Sequence, residues 1–597
     1  MMLPPGFLAG DTSLTRMALW LRTGGYVLAR GGLRRNAIRM EPTGPARDAS
    51  GAGSADDRDA GAARERSCGG AATRLTRSLH LRLEYIPRGG RRRCHREPSP
   101  PRLLIRSPRP AMHPGRLRDL LRAFPAFPAS PAATAVVAVF AGGLAIRVVF
   151  MALDRPAFLG VPDSGTYIDS AHHALFSDVY ETAGYSFVIR VVHAVFPHLS
   201  ALILLQHLLG IATAVLLYYA VRRVTGSMLL GLIPAAVVLF DGFGLWVEHS
   251  PLSDPLFSFL VTCVLVLGLL AAEGRPWVLA GEGALIGVTA VVRPVGLVLV
   301  PIVVVWMVGN RSGETTSRIL AAVALIVPTC AVLGAYIFAQ GADTGFFGLT
   351  QTTGRLIYAR GAPFANCSRF QPPAGTAALC QKTPFRDRGS VNEYETGYPD
   401  HTAAGLAVNR SISPAWRVFG PPPNDDGKLL AFGLETIVHQ PLDYLSTVAH
   451  DVRYLWSDNH HAFIFGDAVV DPDVERAVTG YYATGAGVAG GGLGFLRWYG
   501  RSIQLRGVLV IVLLLSPLLG VFTRERAARR AAILFAVAGW LVPLATVATA
   551  AGNPRYLLPG YGPLAAAAAL GLVGRQRRGQ RDRDAAHDQI ARRAPAA

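Results

Sequence analysis

From Pro131 onward the chain is written in long apolar runs separated by short polar or glycine- and proline-containing breaks. Runs of about 13 to 23 residues recur, most of them close to what a helix needs to cross a hydrocarbon core of about 30 Å. About ten spans are predicted on this criterion: 132–153, 199–221, 228–240, 252–272, 277–292, 295–308, 319–340, 507–522, 531–551 and 556–573. The runs 277–292 and 295–308 read as a short helical pair hinged at Arg293-Pro294, where proline breaks the backbone ladder.

The segment 1–131 is rich in Arg, Gly, Ala and Pro, free of lysine, and without a run long enough to span or a sustained period. It is expected to be a disordered cytoplasmic tail. A segment of this kind also fits an upstream reading frame, with Met112 as the start of the mature protein. The expected organisation is then a transmembrane module over 132–340, an extracytoplasmic loop domain over 341–506, further transmembrane helices over 507–574, and a basic cytoplasmic tail over 575–597. Within the loop domain a helix-like stretch from Leu429 to Trp456 is interrupted by Pro441.

Composition agrees with the membrane class: 51% hydrophobic, 17% charged and a mean hydropathy of +0.31 over 597 residues. The fold class is therefore an all-α polytopic membrane protein. A net charge of +19 would suit a nucleic-acid partner if the basic residues formed one patch. Instead about two dozen arginines fall before Pro131, without interleaved aromatics, and most of the other basic residues sit at the ends of apolar runs, so no nucleic acid is expected. Arg222, Arg223, Arg275, Arg311, Arg318, the basic cluster at 524–530, and Arg575, Arg577 and Arg578 all fall on one side of the predicted topology. By the positive-inside rule that side, with both termini, is cytoplasmic.

This orientation puts the unusual polar residues outside. Asp163 in the first external loop is a carboxylate held just above the bilayer, able to take a proton from an incoming hydroxyl or to hold a cation that does so. Its competing role is the N-cap of an interfacial helix. Glu248, His249 and Asp254 lie at the external mouth between two spans, either lining a cavity with Asp163 or forming a solvated turn. Arg293 interrupts an apolar stretch and is followed by proline; it either holds an anion or snorkels to the headgroups. Arg555, beside Tyr556 at the start of the last run, either pairs with a lipid phosphate or anchors the helix at headgroup level. Of six scattered cysteines, Cys367 and Cys380 share one external loop, in a compartment where a disulfide persists.

The order of these features resembles the GT-C glycosyltransferases that use polyprenyl-phosphate sugars, in particular bacterial relatives of protein O-mannosyltransferases and aminoarabinose transferases. The likeness runs from about Ala132 to Val573. It rests on Asp163 with Tyr167 behind it, on Glu248 to Phe257 reading EHSPLSDPLF, on Arg293-Pro294, and on 553–559 reading NPRYLLP. The stretches 358–380 and 439–444 are similar to loops of actinobacterial members.

The resemblance implies a multi-pass bacterial plasma-membrane enzyme with an extracytoplasmic active site. It would transfer a sugar from a polyprenyl-phosphate donor, seated among membrane lipids, to a glycan, lipid or protein acceptor with inversion. Asp163 is implied as the base, with Tyr167, Glu248, His249, Asp254, Arg293, Arg555 and Tyr556 around the substrates. The family often carries two adjacent acids in the first loop, whereas Ser164 follows Asp163 here, so Asp169 stands as the substitute acid and a divalent metal is left open. The alternative is a transporter or flippase of lipid-linked glycans, which would also lack a Gly-rich phosphate loop.

Overall fold

The computed structural model describes residues 130–271, 276–311, 314–396, 413–454, 471–482 and 493–573. Residues 1–129 of the tail expected over 1–131, the expected tail at 575–597, Arg275 and Trp456 lie outside the described residues, as does Met112, and Ser130 and Pro131 open α1. Among the described residues every regular element is helical.

In chain order the first helices are α1 (Pro131–Leu153), α2 (Pro162–His172), α3 (Ala183–Val195), α4 (Leu199–Thr225), α5 (Met228–Phe240), α6 (Gly242–Glu248), α7 (Asp254–Ala271), α8 (Pro276–Val292), α9 (Leu299–Asn310) and α10 (Thr315–Thr344). They are followed by α11 (Thr353–Gly361), α12 (Asp426–His439), α13 (Pro441–Tyr454), α14 (Pro472–Tyr481), α15 (Leu493–Ser502), α16 (Val508–Leu515), α17 (Pro517–Val521), α18 (Arg526–Thr549) and α19 (Leu558–Gly571).

Five of these, α1, α4, α7, α10 and α18, are long and apolar enough to cross a membrane, and α5 with α6 makes a sixth if that pair, bent by 58°, is one span. The count is lower than the ten apolar runs because the other five runs carry regular helices of 17 residues or fewer. The pair expected at 277–308 is α8 and α9, separated by a 3-10 turn over Pro294–Val298. The run at 507–522 splits into α16 and α17 at Ser516-Pro517, and the last run begins with a 3-10 turn, Pro554–Leu557, before the 14 residues of α19. Each cut shortens the regular helix without changing the apolarity of the run.

The main core lies between α7, α8, α9, α18 and α19, where Val261, Val264, Ile286, Val303, Leu534, Phe535 and Ala567 are buried. On the outside, α1 and α10 keep Val148, Leu320, Val327 and Phe338 more than half exposed, as helices facing hydrocarbon would. A separate cluster of Tyr358, Phe370, Leu379, Tyr394, Leu429 and Phe432 forms the core of the segment expected as a loop domain, and the Cys367–Cys380 disulfide packs against it. The expected break at Pro441 is the boundary between α12 and α13.

Candidate active site at one end of the helical bundle

The breaks after α1, after α6, after α8 and after α18 meet at one end of the bundle. Each contributes a charged side chain because a polar residue can end a span there without being stranded in hydrocarbon.

Asp163 stands in the first turn of α2, but the N-cap position belongs to Val161. Its side chain is therefore not a cap, and it forms an ion pair with the guanidinium of Arg555. Arg555 is carried by the 3-10 turn Pro554–Leu557, whose start is fixed by Asn553: its side-chain oxygen accepts from Arg555 N at 3.2 Å. Arg293 caps the turn after α8 and donates from Nη1 to Asp254 Oδ1 at 2.6 Å. The ring of Tyr556 ties the two arginines together, with guanidinium carbons 5.6 Å (Arg293) and 5.7 Å (Arg555) from its centroid. One turn beyond Asp163, Tyr167 is buried and shares a 2.9 Å hydrogen bond with Ser253 Oγ.

Access differs sharply within the group. The Asp163 side chain keeps 28% of its exposure against 7% for Arg555, 11% for Arg293 and 1% for Asp254. Burial alone would push the Asp163 carboxyl up, yet Arg555, by charge and hydrogen bond, and Arg293 beyond it hold it below the usual carboxylate range. Asp163 is thus an accessible anion beside two cations.

Two further carboxylates complete the cluster, and sequence reading missed both. Burial, and then the charge on Asp163, push Glu181 up to about 7. Its loop is pressed onto the end of α8: Thr182 Oγ1 donates to Val292 O at 3.0 Å, and a Cβ on Gly184 would meet Val291 O at 2.5 Å, a separation only glycine permits. Glu395 accepts from Ala551 N at 3.1 Å, and burial raises its carboxyl as well. A glutamate in a polar loop carries no sequence signal that separates it from a solvated one.

Asp169 is not brought to this cluster. Six positions beyond Asp163, it lies about 240° further around the helix. Its side chain, 59% exposed, sits 3.2 Å from His173.

Glu248 and His249 belong to a second, buried network rather than to a solvated turn. Glu248 accepts from Arg147 Nε at 2.9 Å and Nη2 at 2.7 Å, and meets His207 Nδ1 at 2.9 Å. His207 Nε2 and His249 Nδ1 are 3.0 Å apart, and His249 Nε2 lies 3.0 Å from Asp154 O. The signal for Arg147 was in the sequence, since it is the one charge in the apolar run 132–153 and needs a buried partner. Glu248 and Asp254 nevertheless line a common cavity of about 60 Å³ with Asp241 and Tyr561, just beneath the first cluster.

An apolar cavity of about 420 Å³ lies beside the site, lined by Val452, Leu514, Leu515, Trp540, Val547 and Leu557 among others. Leu557 and Arg555 are two positions apart on the same turn. Among the described residues, no group of three or more His, Cys, Asp or Glu is placed to hold a metal ion.

No protein-family model matches the chain, and no curated protein matches it. Solved structures give partial likenesses. The apo oligosaccharyltransferase of Archaeoglobus fulgidus aligns with a TM-score of 0.38 and 14% identity, over 79% of this chain and 53% of that one, so the chain spans about half its length. ArnT from Cupriavidus metallidurans bound to undecaprenyl phosphate aligns with a TM-score of 0.31 and 15% identity, over 74% of this chain and 77% of that one.

Proposed function

We propose that the chain is a membrane glycosyltransferase of the GT-C type, which moves a sugar from a polyprenyl-phosphate donor to an acceptor hydroxyl on the extracytoplasmic face of a bacterial plasma membrane. The observation that carries this reading is the turn Pro554–Leu557. Arg555 presents a guanidinium to the carboxylate cluster, and two positions later Leu557 forms part of the wall of the apolar cavity. An anionic head joined to a hydrocarbon chain matches that pairing, and a water-soluble nucleotide sugar does not.

The geometry supports the following course. The donor phosphate competes with Asp163 for Arg555, as planar guanidinium forks favour phosphate, and Arg293 adds a second positive charge. Asp163, released and still ionised, accepts the proton of the acceptor hydroxyl. The acceptor oxygen bonds to the anomeric carbon from the face opposite the phosphate, the carbon–oxygen bond to phosphate breaks, and its electron pair leaves with polyprenyl phosphate. Configuration inverts, and the fixed charges of Arg555 and Arg293 stabilise the developing negative charge on the leaving group. Tyr556 keeps the two guanidiniums in register.

Purified protein in detergent, supplied with a panel of polyprenyl-phosphate sugars and simple acceptors, is expected to release polyprenyl phosphate from one donor class. If no donor is consumed, while the same protein in liposomes moves a lipid-linked sugar between leaflets, the transporter reading replaces this one.

A further inference from the structure

Helix α13 packs at the end of span α18, where Tyr444 Oη donates to Ala548 O at 2.9 Å in the last turn of that span. Its inner face, Tyr444, Val448 and Val452, joins a cluster with Val510, Leu513, Val547 and Leu557. At 100° per residue, Leu442, Leu445 and Ala449 fall within an arc of about 60° on one flank of this helix, next to Val452. Asp443 and Thr447 fall on the other flank, where Asp443 meets Arg369 of the neighbouring segment at 3.0 Å. Among the described residues the apolar flank has no such cover: Leu442 is 78% and Leu445 57% exposed, and Val438, at the end of α12 just before, is 66% exposed.

Three large apolar side chains this open in one corner would be costly in water. The same flank runs through Val452 into the apolar cavity walled by Leu514 and Leu515, and the short apolar helix α16 beside it exposes Leu509, Val512 and Leu515 by more than half, as a lipid-facing helix would. We infer that the corner between α12 and α13 dips into the adjoining leaflet of the bilayer, with Val438, Leu442 and Leu445 among the acyl chains, and forms the lip of the cavity. The occupant of this surface is bilayer lipid, because the surface is continuous with the hydrocarbon-facing side of α16, while the polar flank at Asp443 turns to the segment carrying Arg369.

The test needs no knowledge of the reaction. In a variant with Cys68, Cys94, Cys263 and Cys330 replaced by alanine and the Cys367–Cys380 bond kept, a nitroxide is attached singly at Leu442→Cys, Leu445→Cys and His450→Cys. The protein is reconstituted into phosphatidylethanolamine–phosphatidylglycerol vesicles. Collision with oxygen, which concentrates in hydrocarbon, is compared with collision with a water-soluble nickel chelate. The oxygen-to-nickel ratio is expected to be several-fold higher at Leu442 and Leu445 than at His450, which lies outside the apolar arc. Equal ratios at the three positions would place the corner in water and overturn the inference. Low collision with both reagents at Leu442 and Leu445 would mean that protein covers the corner, and would overturn it equally.

Discussion

Asp163 and Arg555 stand 392 positions apart in the chain and form one ion pair, so the first loop after α1 and the last turn before α19 are held together at the site. Since Val161 and not Asp163 occupies the helix cap, replacing the carboxylate leaves the start of α2 intact. Asp163→Asn, which keeps a side-chain oxygen to accept from Arg555, is therefore expected to fold with at most a lowered melting temperature, while transfer falls by about a hundredfold to ten-thousandfold, the usual effect of losing a general base. Full retention of turnover would remove Asp163 from the mechanism.

The pair of Arg293 and Asp254 is more deeply buried, and its two halves are expected to fail differently alone and together. Arg293→Met strands the Asp254 carboxylate and is expected to destabilise the protein by about 3–5 kcal/mol. Adding Asp254→Leu removes the stranded charge and should recover most of that loss in a thermal melt, without recovering transfer. A double variant as unstable as the single one would show that the pair is not an isolated charge couple.

The sequence places Glu248 among the residues around the substrates, and in the structure its partners are Arg147 and His207. Glu248→Gln should thus act on folding: the apparent melting temperature drops, and the fraction that survives purification keeps its KM for donor and its kcat. A raised KM at unchanged stability would return Glu248 to the binding site.

Glu181 links pH to stability through its raised pKa. The folded protein holds this proton to about 7, against an ordinary value of 4.5, so between these limits the folded state binds more protons than the unfolded chain. Stability is then full below the lower value and falls as pH rises through the window. Glu181→Gln should shrink the difference in apparent melting temperature between about pH 5 and about pH 8. An unchanged difference would show that other groups set it.

The residues that the sequence marked as chemically unusual, Asp163, Arg293, Arg555 and Tyr556, do come together, because each sits where an apolar run breaks and so at one end of the bundle. Which charge pairs with which was not legible. Arg293 finds Asp254 across 39 positions and Arg147 finds Glu248 across 101, and no local period encodes such a pairing. Asp169 was misplaced for a simpler reason, since counting acids in a loop ignores that a helix turns them to different faces. Spans were easier to see as apolar runs than as helices, because Pro517 splits one run without making it polar, while Pro294 and Pro554 open 3-10 turns that delay the regular helix of the runs after them.

The turn Pro554–Leu557 has a consequence for how the protein meets membranes of different thickness. A thicker or thinner bilayer shifts the plane of lipid headgroups relative to the spans and changes their tilt. Arg555 and Leu557 shift together, because four residues of backbone capped by Asn553 fix their spacing. For the lipid-linked donor proposed above, lipid composition would therefore alter how readily it reaches the site, but not the distance between Arg555 and Leu557.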